Sequence, residues 1–189
     1  NFNYSEEQTL LKDSVAKFIA NDYDYETRRK HCAMDGGFDV ATWQTFAELG
    51  WLCVPFSEED GGIGGGAVET MIVMEEFGKG LVVEPYVSTV LISGGVVAKA
   101  GSAEQKAEIL SGIIEGNRKL SLAAIEPQSR FDLFDVATEA KFSAGYYELT
   151  GSKAMVLHGA SADTFIVSAR TSGSSRDREG VSLFLVPAD

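Results

Sequence analysis

The chain has 189 residues, enough to bury a substantial core in one large or two small domains. Its 16 basic and 28 acidic side chains give a formal net charge of −12, which argues against nucleic acid or an anionic membrane as a partner. Two cysteines far apart (Cys32 and Cys53) and two histidines (His31 and His158) predict buried thiols in a reducing compartment, with no disulfide frame and no zinc cluster.

No apolar run approaches the roughly 20 residues of a membrane span. The N-terminus shows no basic segment followed by an apolar one, so no signal peptide is visible, and a cytoplasmic location is the expectation. Ser5-Glu6-Glu7-Gln8 is a capping box, in which Ser5 accepts from the Gln8 N–H while Gln8 reaches back. Leu10, Leu11, Val15, Phe18 and Ile19 then recur at helical spacing. A short helix is predicted over 25–33, broken by Gly36-Gly37. Asp39 caps a third helix whose inward residues should be Val40, Trp43, Phe46 and Ala47, with Gly50 closing it.

Leu52-Cys53-Val54-Pro55 reads as short and extended. Gly62 to Ala67 formally fits the G-x-G-x-x-A dinucleotide fingerprint. Glu58, Glu59 and Asp60 would repel a pyrophosphate there, and no βαβ unit follows, so a mobile turn feeding a helix over 67–78 is the better reading. Pro85 suits the first turn of a helix over 86–99 that is apolar on most faces and therefore central. Ser102-Ala103-Glu104-Gln105 is a second capping box, starting a helix that Gly116 stops. Six helices with short turns make an antiparallel α-domain over 1–119.

From Leu120 the texture turns to β. Short strands are predicted at 121–125, 137–142, 146–150, 154–157, 164–169 and 181–186, with a Ser/Gly/Arg hairpin over 171–180. The class is thus α+β: an antiparallel all-helical domain followed, over 120–189, by an incomplete antiparallel β-barrel or sandwich domain.

Six stretches, in this order, resemble the acyl-CoA dehydrogenase family. They are Met74-Glu75-Glu76-Phe77-Gly78; Gly101-x-x-Glu104-Gln105-Lys106; Ala124-Ile125-Glu126-Pro127; Leu149-Thr150-Gly151-Ser152-Lys153; Gly159-x-x-Ala162-Asp163; and Gly180-Val181-Ser182-Leu183-Phe184-Leu185-Val186. The opening 3–15 and the stretch 68–75 are most similar to the branch of pimeloyl-CoA dehydrogenase small subunits. The resemblance implies α,β-dehydrogenation of an acyl-CoA thioester with FAD, an electron-transfer flavoprotein as acceptor, and an oligomeric assembly. In the family a C-terminal helical bundle carries the catalytic glutamate, and the resemblance covers only the two domains before it. No catalytic residue is therefore assigned in this chain, and Glu126 is read as a strand-end carboxylate accepting backbone N–H groups.

The same resemblance places the flavin-facing positions at Leu122, Ala124, Ile125, Arg130, Phe131, Met155 and Leu157. Here Leu122 stands for an aromatic, Ile125 for a threonine before Glu-Pro, and Arg130-Phe131 for a Gly-Ser that approaches phosphate. Met155 stands for a tryptophan against the flavin, Leu157 for a threonine at flavin N5, and His158 for an asparagine. Hydrogen-bonding and stacking groups have become apolar or bulky. The expectation is a small subunit with a weak or shared flavin site, paired with a complete homologous large subunit. A complete FAD enzyme, or an acidic helical interaction module, are the alternatives.

Overall fold

The computed structural model describes residues 3–188. The chain divides into two compact units, Asn1–Arg118 and Lys119–Asp189.

The first unit is helical, with α1 at Glu6–Asp22, α2 at Tyr25–Cys32, α3 at Val40–Glu48 and α4 at Ala67–Gly80. A π-helical stretch, Tyr86–Gly94, follows Pro85 and runs into α5 at Gly95–Ala100, and α6 covers Ala103–Ile114. Both capping boxes form, on Ser5 with Gln8 and on Ser102 with Gln105. At the start of α4, Glu69 accepts the Gly66 N–H at 2.7 Å and the Gln8 side-chain amide at 2.7 Å, tying α4 to α1. The core is aromatic: Phe46 stacks on Phe77 at 4.9 Å, Trp51 meets Phe46 at 5.1 Å, and Tyr86 meets Phe77 edge-on at 5.2 Å. A buried polar knot joins three helices' ends, with Glu84 accepting from the Tyr23 hydroxyl at 2.6 Å and lying 2.8 Å from His31 Nδ1. Burial, then the Glu84 hydrogen bond, pushes the Tyr23 hydroxyl far above its ordinary range.

Several expectations are corrected here. Leu10 and Val40 lie at exposed helix positions, because the buried stripe of each helix is carried by Val15 and by Trp43 and Phe46. Leu52–Pro55 is a run of turns whose apolar side chains Leu52 and Val54 are fully buried, not an extended segment. Cys32 is exposed and Cys53 half-buried, and both thiols are free.

The second unit holds β1 (Leu120–Ala123), β2 (Glu139–Ser143), β3 (Tyr146–Thr150), β4 (Thr164–Arg170) and β5 (Val181–Pro187) in one sheet. The sheet is mixed. β2 with β3 and β4 with β5 pair antiparallel, whereas β4 runs parallel to β1 from Leu120↔Thr164 and meets β2 in parallel at Glu139↔Arg170. Since β5 pairs with β4 along its whole length, β1 and β2 share the other edge of β4, one after the other. The stretch 154–157, expected as a strand, is not one: Met155 has φ +54°, which breaks the extended backbone a ladder requires. Among the described residues no helix is long and apolar enough to cross a membrane.

Candidate functional site

The segments that carry the flavin-facing candidates meet at the end of β1 in the second unit. The Ser121 hydroxyl donates to the Leu157 carbonyl at 2.8 Å, and the Ala154 N–H donates to the Ile125 carbonyl at 2.9 Å. These two bonds lay the 154–157 loop alongside 121–125, so Leu122, Ala124 and Ile125 are brought together with Met155 and Leu157. Leu122, Ala124 and Ile125 are half-buried, while Met155 is 83% and Leu157 57% exposed.

Beneath this loop lies an ion pair. Lys153 Nζ sits 2.6 Å from Glu126 Oε1 and donates to Ser168 Oγ at 2.9 Å, with the Glu126 side chain only 2% exposed. Glu126 also accepts the Ala137 N–H at 2.8 Å, the Thr138 N–H at 3.0 Å and the Gln128 amide at 2.7 Å. Burial pulls its carboxyl upward, but the hydrogen bonds from Lys153, Thr138 and Gln128 outweigh that and hold it at about 2. The reading of Glu126 as a carboxylate that collects backbone N–H groups is what the geometry shows. Accepting from all of these donors, it stays ionised and anchors the end of its segment to Lys153 and to 137–138.

Arg130 and Phe131 belong to the loop that leaves Glu126. Its root is tied by Ser129, whose hydroxyl accepts the Glu126 N–H at 2.9 Å, but Arg130 and Phe131 themselves are exposed. Arg130, Met155 and His158 have φ of +50°, +54° and +53°, a conformation in which a side chain costs about 1 kcal/mol or more. Such backbone in two neighbouring loops marks built turns rather than slack connections.

The side chains fit a flavin incompletely. Leu122, Ala124, Ile125, Phe131, Met155 and Leu157 offer no hydrogen-bond donor and, apart from the weakly accepting Met155 sulfur, no acceptor, leaving Arg130 and backbone groups for the polar rim of such a ring. Methionine and leucine can still pack against an apolar plane. What the sequence reading lacked were the positioning residues. Ser121 and Lys153 hold the loop, and the one available signal was Lys153 closing the Leu-Thr-Gly-Ser-Lys motif.

The chain matches the acyl-CoA dehydrogenase N-terminal domain over residues 5–117 and the acyl-CoA dehydrogenase middle domain over residues 121–189. A probable acyl-CoA dehydrogenase, YngJ of Bacillus subtilis, is 28% identical across all of this chain and half of its own length. Among solved structures, the ChsE4-ChsE5 complex from Mycobacterium tuberculosis contains a chain 26% identical with TM-score 0.84, matched over 100% of this chain and 49% of that one. The FAD complex of PigA matches at 26% identity and TM-score 0.86, over 99% of this chain and 49% of that one. The chain spans about half the length of the curated relatives it matches.

Proposed function

Since the chain belongs to the acyl-CoA dehydrogenase family, we propose that it acts as the small subunit of a flavin-dependent acyl-CoA dehydrogenase. In this reading its own flavin site is degenerate, and it pairs with a complete homologue that supplies the catalytic base and a competent flavin. The assembly would oxidise an acyl-CoA thioester at its α,β bond in the cytoplasm and pass electrons to an electron-transfer flavoprotein. One observation carries the reading: six of the seven candidate flavin-facing side chains have no hydrogen-bond donor, and Phe131, Met155 and Leu157 are exposed on their loops. Each lost bond to a cofactor costs about 0.5–1.5 kcal/mol, so several together remove orders of magnitude of affinity. Relatives whose structures are those of two-component assemblies, such as the ChsE4-ChsE5 complex, support a paired arrangement. In this reading the chain has no self-sufficient flavin site, and no chemical step is assigned to it.

The test is flavin stoichiometry. The full-length subunit, purified alone and co-purified with its homologue, is assayed for FAD by absorbance and by release after denaturation. The expected result is little or no FAD on the subunit alone and fewer flavins than subunits in the complex. One tightly held FAD per copy of this subunit, bleaching on addition of acyl-CoA, would overturn the reading in favour of a complete FAD enzyme.

A further inference from the structure

At the root of the hairpin over 171–180 sits a buried guanidinium that has no carboxylate counter-ion among the described contacts. Arg170, the last residue of β4, is 7% exposed. Its Nε donates to the Val136 carbonyl at 3.1 Å, and its Nη2 to the carbonyls of Phe134 at 3.0 Å, Ser175 at 3.0 Å and Asp177 at 3.1 Å. Its Nη1 donates to the carbonyls of Glu179 at 2.9 Å and Ser172 at 3.4 Å. Every acceptor is backbone, drawn from two segments that are distant in sequence. A planar fork of fixed N–H groups suits this geometry, and a lysine ammonium does not reproduce it.

Two arginines of the hairpin grip the same stretch of the loop. Arg176 Nε donates to the Asp135 carboxylate at 3.0 Å, with the Asp135 side chain 6% exposed. The Arg178 guanidinium lies 5.2 Å from the centre of the Phe134 ring. Finally, the Val136 N–H donates to the Ser175 carbonyl at 2.8 Å. Arg170 and the two hairpin arginines therefore hold Phe134, Asp135 and Val136, and 130–133, just upstream, are exposed.

We propose that Arg170 is a positioning residue: its guanidinium is the template on which the hairpin 171–180 and the loop 127–136 order as one unit, fixing how Arg130 and Phe131 are presented. A compact apolar clamp could hold either segment alone. A multi-donor centre shared by both ties the order of one to the other, with the Val136–Ser175 and Arg176–Asp135 bonds joining the same two segments. That the presented loop faces a flavin or a partner rests on the function proposed above, but the coupling does not, and its test uses no flavin.

The experiment is hydrogen exchange on the full chain with Arg170→Lys. Amides of 134–136 and 172–180 should speed up together by about tenfold or more, while those pairing β2 with β3 keep their rates. In parallel, Phe131→Trp is made with and without Arg170→Lys. Trp43 and Trp51 are each 1% exposed, so acrylamide selects the new indole, whose anisotropy should fall in the double variant. In Arg170→Ala, millimolar guanidinium should restore protection and sodium chloride should not, a rescue that loss of packing would not show. Acceleration confined to the hairpin, with 134–136 unmoved, would overturn the proposal. If Arg170→Lys loosens the whole second unit, Arg176→Gln with Arg178→Gln decides, since Arg176 is largely exposed and both residues lie outside the strands. Joint loosening of loop and hairpin then supports the coupling, and independent behaviour rejects it.

Discussion

At the scale of single residues, the buried pair Lys153–Glu126 shows how a family motif turns into stability. Taking both charges out of water is costly, and it is offset here because Glu126 collects backbone N–H groups as well as the ammonium. Lys153→Met would leave a buried carboxylate short of its strongest donor. The cost should be about 3 kcal/mol, near the lower end for a broken buried pair, because the other N–H donors remain. The pH dependence follows from the direction of the Glu126 shift. Its carboxyl titrates near 4.5 unfolded and at about 2 folded, so its stabilisation is complete above pH 4.5 and is lost as pH falls through 4.5 towards 2. Urea unfolding of the full chain, followed through exchange of β4 amides between pH 6 and pH 3, should show the second unit losing stability in that window. Glu126→Gln, which has no such proton to gain, should be flatter there.

At the scale of elements, what could be read from the sequence was what is decided locally. The capping boxes at Ser5 and Ser102 place helix starts because donor and acceptor lie three residues apart. Strand pairing is not local, so nothing in Leu120–Ala123 or Thr164–Arg170 announces that they run parallel. Apolar content also misled: Met155, Val156 and Leu157 have strand-like composition, but Met155 turns left-handed and the loop leans on Ser121 and Ile125 instead. Of the candidate site, the sequence therefore supplied the residues but not the bonds that gather them. The Gly61–Gly66 turn makes the same point. Its expected looseness conflicts with a closed hydrogen-bond pattern: Gly62 donates to Ser57 at 2.8 Å, Gly64 to Phe56 at 2.8 Å and Gly65 to Val54 at 2.9 Å. A Cβ on Gly62 would collide with the Phe56 carbonyl, whereas Gly64, at φ +67°, has open space around it. Gly62→Ala should thus cost about 2–3 kcal/mol through backbone displacement. Gly64→Ala should cost about 1 kcal/mol from its left-handed conformation alone. Thermal melts of the two variants, read on Trp43 and Trp51 emission, should rank them in that order. Equal melting temperatures would mean the turn yields freely, as the expectation of a mobile turn had it.

At the scale of the whole molecule, the question is whether this chain carries a family scaffold from which only the cofactor's side-chain partners have been removed. The loop bearing Met155 and Leu157 is tied at both ends, by Ala154 to Ile125 just past β1 and by Leu157 to Ser121 within it. The buried Lys153–Glu126 pair supports its root. None of those bonds uses the side chains of Ile125, Met155 or Leu157. Replacing these three should therefore leave the backbone where it is, because Met155 and Leu157 are exposed and Ile125 is only half-buried. The decisive variant combines Ile125→Thr, Met155→Trp and Leu157→Thr, restoring the residue types that the family resemblance gives for those positions. Two new hydroxyls at about 0.5–1.5 kcal/mol each, and an indole able to stack, should tighten FAD binding by about ten- to a hundredfold. The measurement is quenching of flavin fluorescence on titration with the subunit, in the same assembly with its homologue for variant and native chain. A gain of that size, with exchange of the Ala154 and Leu157 region unchanged, would locate the defect in side-chain chemistry. Unchanged affinity with an unchanged backbone would instead mean that the three positions do not face the cofactor in this protein, and the degenerate-site reading would have to be abandoned at those residues.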